Sequence, residues 1–132
     1  MKKVLIFIIV VMSALVLLSC SNSTDDPLSL AKTFDESGFY VRISVDEEDL
    51  GYYAEELKVR RVGMNCIVRI RDEEYGYVGY YIYCDDKDTA KKMVADLEKY
   101  YTENLKEDFT RGIIERKENV VFVGCEDFWG KI

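Results

Sequence analysis

Cysteines, clustered carboxylates, and tyrosines beside arginine are the side chains of this chain that could do chemistry; histidine is absent altogether. Without imidazole there is no Ser-His-Asp or Cys-His nucleophile and no His-ligated zinc. Cys66, Cys84 and Cys125 are too far apart in sequence for a Cys-x-x-Cys, so thiol–disulfide exchange has no motif behind it. A thiol nucleophile would also need a base to activate it. The acids gather at Asp46-Glu47-Glu48-Asp49, Asp72-Glu73-Glu74 and Asp85-Asp86-Lys87-Asp88. None of these runs has the alternating ligand spacing of a calcium loop, and each falls where a helix start or a turn favours acids. Neither metal nor cofactor is expected from them.

Tyrosine is the compositional oddity: ten in 132 residues, with Tyr75, Tyr77, Tyr80, Tyr81 and Tyr83 close together. They belong to the second of two strand-like runs, Val62–Arg71 and Tyr77–Cys84, rich in Val, Ile and Tyr. A three-residue loop Glu74-Tyr75-Gly76, with Gly76 left-handed, joins them into a hairpin. Facing residue numbers then sum to 150. Met64, Cys66, Val68 and Ile70 share an apolar face with Val78, Tyr80, Ile82 and Cys84. Asn65, Ile67, Arg69 and Arg71 share the other with Tyr77, Gly79, Tyr81 and Tyr83. This register keeps the faces distinct, which a slip by one residue would not. It sets Cys66 opposite Cys84, a possible disulfide that leaves Cys125 over; the alternative is three small buried thiols. It also sets Arg69 opposite Tyr81. Tyrosine offers contact area at low entropic cost and arginine stacks on it, so Arg69, Tyr77, Tyr81 and Tyr83 form a candidate binding face. The competing reading is a half-exposed sheet furnished with good strand formers.

These strands need partners. Asp26-Pro27 suits a helix start, with Leu28, Ala31 and Phe34 at helical spacing and Gly38 as its stop. Phe39 to Val45 alternates as a strand. Asp46 to Leu57 reads as a short helix bearing Leu50, Tyr53, Ala54 and Leu57, although Gly51 weakens it. Asp85 or Asp86 caps a long helix from Lys87 to about Leu105, with the stripe Ala90, Met93, Val94, Leu97, Tyr101 and Leu105. Ile113–Lys117 and Val120–Val123 form a second hairpin around Glu118-Asn119, and Phe128 and Trp129 dock at the end. The order predicts an α+β domain: one mostly antiparallel sheet of about five strands, with the long helix packed on one face.

The N-terminus has a different character. Lys2 and Lys3 precede an apolar run from Val4 to Leu18, closed by Leu17-Leu18-Ser19-Cys20. About 15 apolar residues fall short of the ~20 that span a bilayer, and the layout is that of a secretory signal. Leu17-Leu18-Ser19-Cys20 resembles the lipobox of bacterial lipoproteins. That resemblance implies cleavage before Cys20 and a diacylglyceryl group on its sulfur. The chain then divides into a signal peptide 1–19, a lipidated cysteine and tether 20–26, and a single domain 27–132. In layout it is similar to the small lipoproteins common in low-GC Gram-positive bacteria, a likeness from which no activity follows.

The expected place of work is the outer side of a cell membrane, held by the Cys20 lipid. Without Lys2 and Lys3 the chain carries 16 basic against 25 acidic side chains, a net of −9. Such a domain is repelled by nucleic acid and by anionic lipid. Two function classes stay open: a non-catalytic module binding an extracytoplasmic protein, peptide or glycan, and a small extracytoplasmic enzyme working with carboxylates, which would need two acids in one cleft.

Overall fold

A computed structural model of the chain describes residues 26–101 and 109–130. The Cys20 lipobox, the tether up to residue 25 and Leu105 lie outside the described residues. Within them no helix is long and apolar enough to cross a membrane.

The chain alternates helices and strands: α1 (Pro27–Glu36), β1 (Tyr40–Ser44), α2 (Glu47–Leu57), β2 (Met64–Arg71), β3 (Val78–Cys84), α3 (Lys87–Tyr101), β4 (Gly112–Lys117), β5 (Val120–Cys125) and a 3-10 turn (Glu126–Phe128). The strands form one antiparallel sheet in the order β1-β2-β3-β5-β4. The fold class is α+β, as the residue pattern predicts. α3 is 15 residues long, an ordinary length.

Aspartate starts each helix for the same reason: its carboxylate accepts from an otherwise unpaired N–H of the first turn. Asp26 accepts from Ser29 N at 2.8 Å, Asp46 from Asp49 N at 2.8 Å and Asp86 from Thr89 N at 2.7 Å. This last bond holds the Asp86 carboxyl below its usual range. The acidic runs are thus spent mainly on helix starts and a turn. Among the described residues no three His, Cys, Asp or Glu converge as a metal site.

Both faces of the sheet are covered, where the sequence pattern suggested one. α1 and the C-terminal turn cover one face through Leu30, Phe34 and Phe128, which pack on Cys66, Val68, Ile70, Tyr81, Tyr83, Val120 and Phe122. α2 and α3 cover the other through Leu50, Tyr53, Ala54, Leu57, Ala90, Met93 and Leu97, which pack on Ile67, Tyr80, Ile82, Val121 and Val123. The α2 stripe is the one its spacing predicts. In α1 the buried pair is Leu30 and Phe34, an i, i+4 step, whereas Leu28 is 73% exposed.

The β2–β3 register differs from the expected one by a single residue. Facing numbers sum to 149, with Arg69 opposite Tyr80 and Val68 opposite Tyr81. The cause is the turn. Asp72 N donates to Tyr77 O at 2.8 Å, so the loop has four residues, Glu73 to Gly76, instead of three. The Asp72 carboxylate accepts from Glu74 N and Tyr75 N at 2.9 and 3.3 Å and holds the loop wide. Gly76 does take the left-handed conformation expected of it, at φ 76°. One residue of slip exchanges the faces of every side chain on one strand relative to the other. A bulge between Met64 and Cys66 then returns Met64 to the α2/α3 face.

Candidate functional site

The slip rearranges the predicted binding face. Tyr81 is fully buried under α1, stacked with Trp129 at 5.9 Å, and its hydroxyl donates to Phe128 O. Tyr83 is 7% exposed on the same side. Tyr77 is half-buried there, stacked on Tyr75 at 5.6 Å with the Arg111 guanidinium 6.0 Å from its ring. Arg69 lies on the opposite side of the sheet. Arg69, Tyr77, Tyr81 and Tyr83 therefore form no common surface, and two of them belong to a core.

The proposed disulfide fails for the same reason. Cys66 packs in the α1 layer and Cys84 in the α2/α3 layer, with the sheet between them. Cys66, Cys84 and Cys125 are all free and buried. Burial pushes the Cys66 thiol up to about 11 and the Cys84 thiol to about 12, the latter with help from Asp85 and Asp86. Burial thus favours the protonated thiol at both positions, the form that is the weaker nucleophile.

Arg69 does meet a tyrosine, but it is Tyr80. Its Nε donates to the Tyr80 hydroxyl at 3.4 Å and its Cζ sits 5.9 Å from the ring centroid. Burial of Tyr80 outweighs the cation and raises the phenol above its ordinary value, so it stays neutral. Tyr80 also lines a groove of about 340 Å³ on the α2/α3 side, together with Glu56, Leu57, Gly76, Val78, Tyr100, Tyr101 and Phe109.

Four elements build this groove. α2 supplies Glu56 and Leu57, β3 supplies Val78 and Tyr80, the last turn of α3 supplies Tyr100 and Tyr101, and Phe109 precedes β4. The rings brace one another: Tyr80 meets Tyr53 at 5.8 Å and Phe109 at 6.3 Å, and Tyr100 meets Tyr101 at 4.8 Å, all edge to face, while Tyr101 lies tilted against Phe109 at 5.7 Å. Tyr100 is 46% exposed, and the Lys58 ammonium lies 5.9 Å from its ring. An ion pair fixes the frame: Arg60, just after α2, grips Asp96 of α3 through two bonds of 2.7 and 2.8 Å. That grip holds the Asp96 carboxyl below the usual carboxylate range.

Such a surface presents the Tyr100 ring for stacking, with the Lys58 ammonium beside it and Glu56 in the lining. Among the described residues that line it, Glu56 is the only carboxylate. Sequence reasoning missed Glu56, Tyr100 and Phe109. The one local signal was the pair Tyr100-Tyr101, in which the helical stripe buries the second and leaves the first at the surface. Compared with family models, curated proteins and solved structures, the chain matches none of them.

Proposed function

We propose that this chain is a membrane-anchored extracytoplasmic binding module, without catalytic activity, whose ligand rests in the tyrosine groove. The groove carries the reading: braced aromatic rings cost little further ordering when a ligand arrives. The acidic surface favours a neutral or cationic ligand, such as a sugar face or a basic aromatic peptide, over a polyanion. The lipobox-like Leu17-Leu18-Ser19-Cys20 supports the anchor.

Two measurements test the two halves of the proposal. Cells expressing Cys20→Ala are expected to lose mature-sized protein from the membrane fraction and from the detergent phase; retention of mature-sized protein there defeats the anchor. For the groove, a neutral oligosaccharide and a lysine-bearing aromatic peptide are titrated against the full chain in detergent. Tyr100→Ala is expected to weaken whichever binds by about tenfold or more, near 1.4 kcal/mol, while its half-exposed position leaves the melting midpoint nearly unchanged. Binding that ignores Tyr100→Ala, or no binding by either probe, defeats the groove reading.

A further inference from the structure

We propose that β1 is a self-association edge, at which two copies of this chain join their sheets and lay their α1 helices side by side. Among the described residues the sheet has two edge strands, β1 and β4. β4 carries Glu115, Arg116 and Lys117 in succession, the kind of charge that blunts an edge. β1 reads Tyr40-Val41-Arg42-Ile43-Ser44. Its one charge, Arg42, lies on the α2 side, paired with Asp49 at 3.2 Å. Val41 and Ile43 point to the α1 side and stay half-exposed. With Ala31, Lys32 and Asp35 of α1 they line a groove of about 390 Å³. Leu28, 73% exposed, continues that stripe at helical spacing, and Val45, 64% exposed, follows the strand.

Geometry and charge both select a second copy as the occupant. An antiparallel edge-to-edge pair is related by a two-fold axis perpendicular to the sheet, so each copy keeps its α1 on the same side. α1 lies over β1 and β2 in each copy. The two helices are then about two strand spacings apart, roughly 10 Å, which is a helix–helix packing distance. The groove is thus the space into which the partner's helix stripe fits, with the small Ala31 allowing close approach. Lys32 and Asp35 carry opposite charges one turn apart on that stripe. Because the partner helix runs the other way, the cation of each copy can meet the anion of the other, the self-complementarity an isologous interface requires. A foreign extended peptide would satisfy the strand edge but leave Leu28 uncovered. The arrangement also suits the anchor proposed above, since both tethers leave from one layer and one membrane can hold both; the association itself does not depend on it.

The test is the oligomeric state of the full chain in detergent, by sedimentation and by co-purification of two differently tagged copies. Wild type is expected to dimerise reversibly with concentration. Leu28→Glu and Lys32→Asp, both at exposed positions, are each expected to raise the dissociation constant about tenfold or more without changing the melting midpoint. Lys32→Asp combined with Asp35→Lys is expected to restore it, because the reversed charges complement each other again. A chain that stays monomeric, a dimer indifferent to Leu28→Glu and Lys32→Asp, or a failed restoration overturns the proposal. The same measurement on Cys20→Ala is expected to give the same dimer, which keeps a failure of the anchor separate from a failure of this interface.

Discussion

Tyr81→Ala is expected to cost about 3–5 kcal/mol, the range for deleting a buried aromatic. The ring is wholly buried among Phe34, Phe122 and Trp129, at centroid distances of 6.1, 4.8 and 5.9 Å. Alanine would leave a cavity that strands on both sides hold open. It would also strip the Phe128 carbonyl of the hydroxyl that donates to it, and with that bond the C-terminal turn loses a tie to β3. For a domain of about 100 residues this is a fall in melting midpoint of roughly 15 °C or more. Tyr81→Phe keeps the packing and loses only the bond, so its cost is expected near 1 kcal/mol, somewhat more if the carbonyl stays dry. Thermal melts of the two variants separate packing from hydrogen bonding. A Tyr81→Ala protein that melts within a few degrees of wild type would mean that this ring is not core.

Gly124→Ala is expected to be as damaging, although it adds only one methyl. Gly124 faces Gly79 across β5 and β3, at φ 141°, in a region of backbone space that side chains avoid. A Cβ built there lies 2.5 Å from both Gly79 Cα and Val78 O. Those are backbone atoms of a central strand and cannot step aside. Strain and overpacking together put the cost at about 3 kcal/mol or more. Gly79→Ala should cost less, since its Cβ would meet the rings of Phe122 and Phe128 at 2.9 and 3.0 Å, and rings can tilt. Gly51→Ala is the opposite case: it lies within α2 with nothing inside 4 Å, and is expected to stabilise by about 0.5–1 kcal/mol. Denaturant unfolding of the three variants should rank them in that order. A Gly124→Ala chain as stable as Gly51→Ala would contradict the close β3–β5 approach.

Local signals in the sequence are faithful to the elements and weak on how they are registered. Asp26-Pro27, Asp46 and Asp86 mark the helix starts because capping is a short-range hydrogen bond. The stripe Leu50, Tyr53, Ala54, Leu57 is legible because one face of α2 is polar. The β2–β3 pairing is different. β3 is buried on both faces and has no polar one, while β2 alone carries a marked face in Asn65, Arg69 and Arg71, so the pattern cannot choose between sums of 149 and 150. The choice falls to one loop residue, and the deciding contact is the Asp72 carboxylate turning back on its own chain. From that residue follow the burial of Tyr81, the separation of Cys66 from Cys84, and the transfer of Arg69 from Tyr81 to Tyr80. The groove was illegible for another reason. Glu56, Tyr80, Tyr100 and Phe109 come from four segments, and only the seating of α2 and α3 on one face of the sheet, tied together by Arg60 and Asp96, brings them together.

The three thiols also give this molecule a pair of internal clocks. A thiol shielded from solvent reacts with an alkylating reagent only when the layer around it opens. Cys66 and Cys125 sit in the α1 layer and Cys84 in the α2/α3 layer. Labelling rates at the three positions, read by mass after quenching, would time the opening of each layer separately, with no engineered probe. Equal rates would mean that the two layers breathe as one cooperative unit; unequal rates would reveal which side of the sheet lets go first.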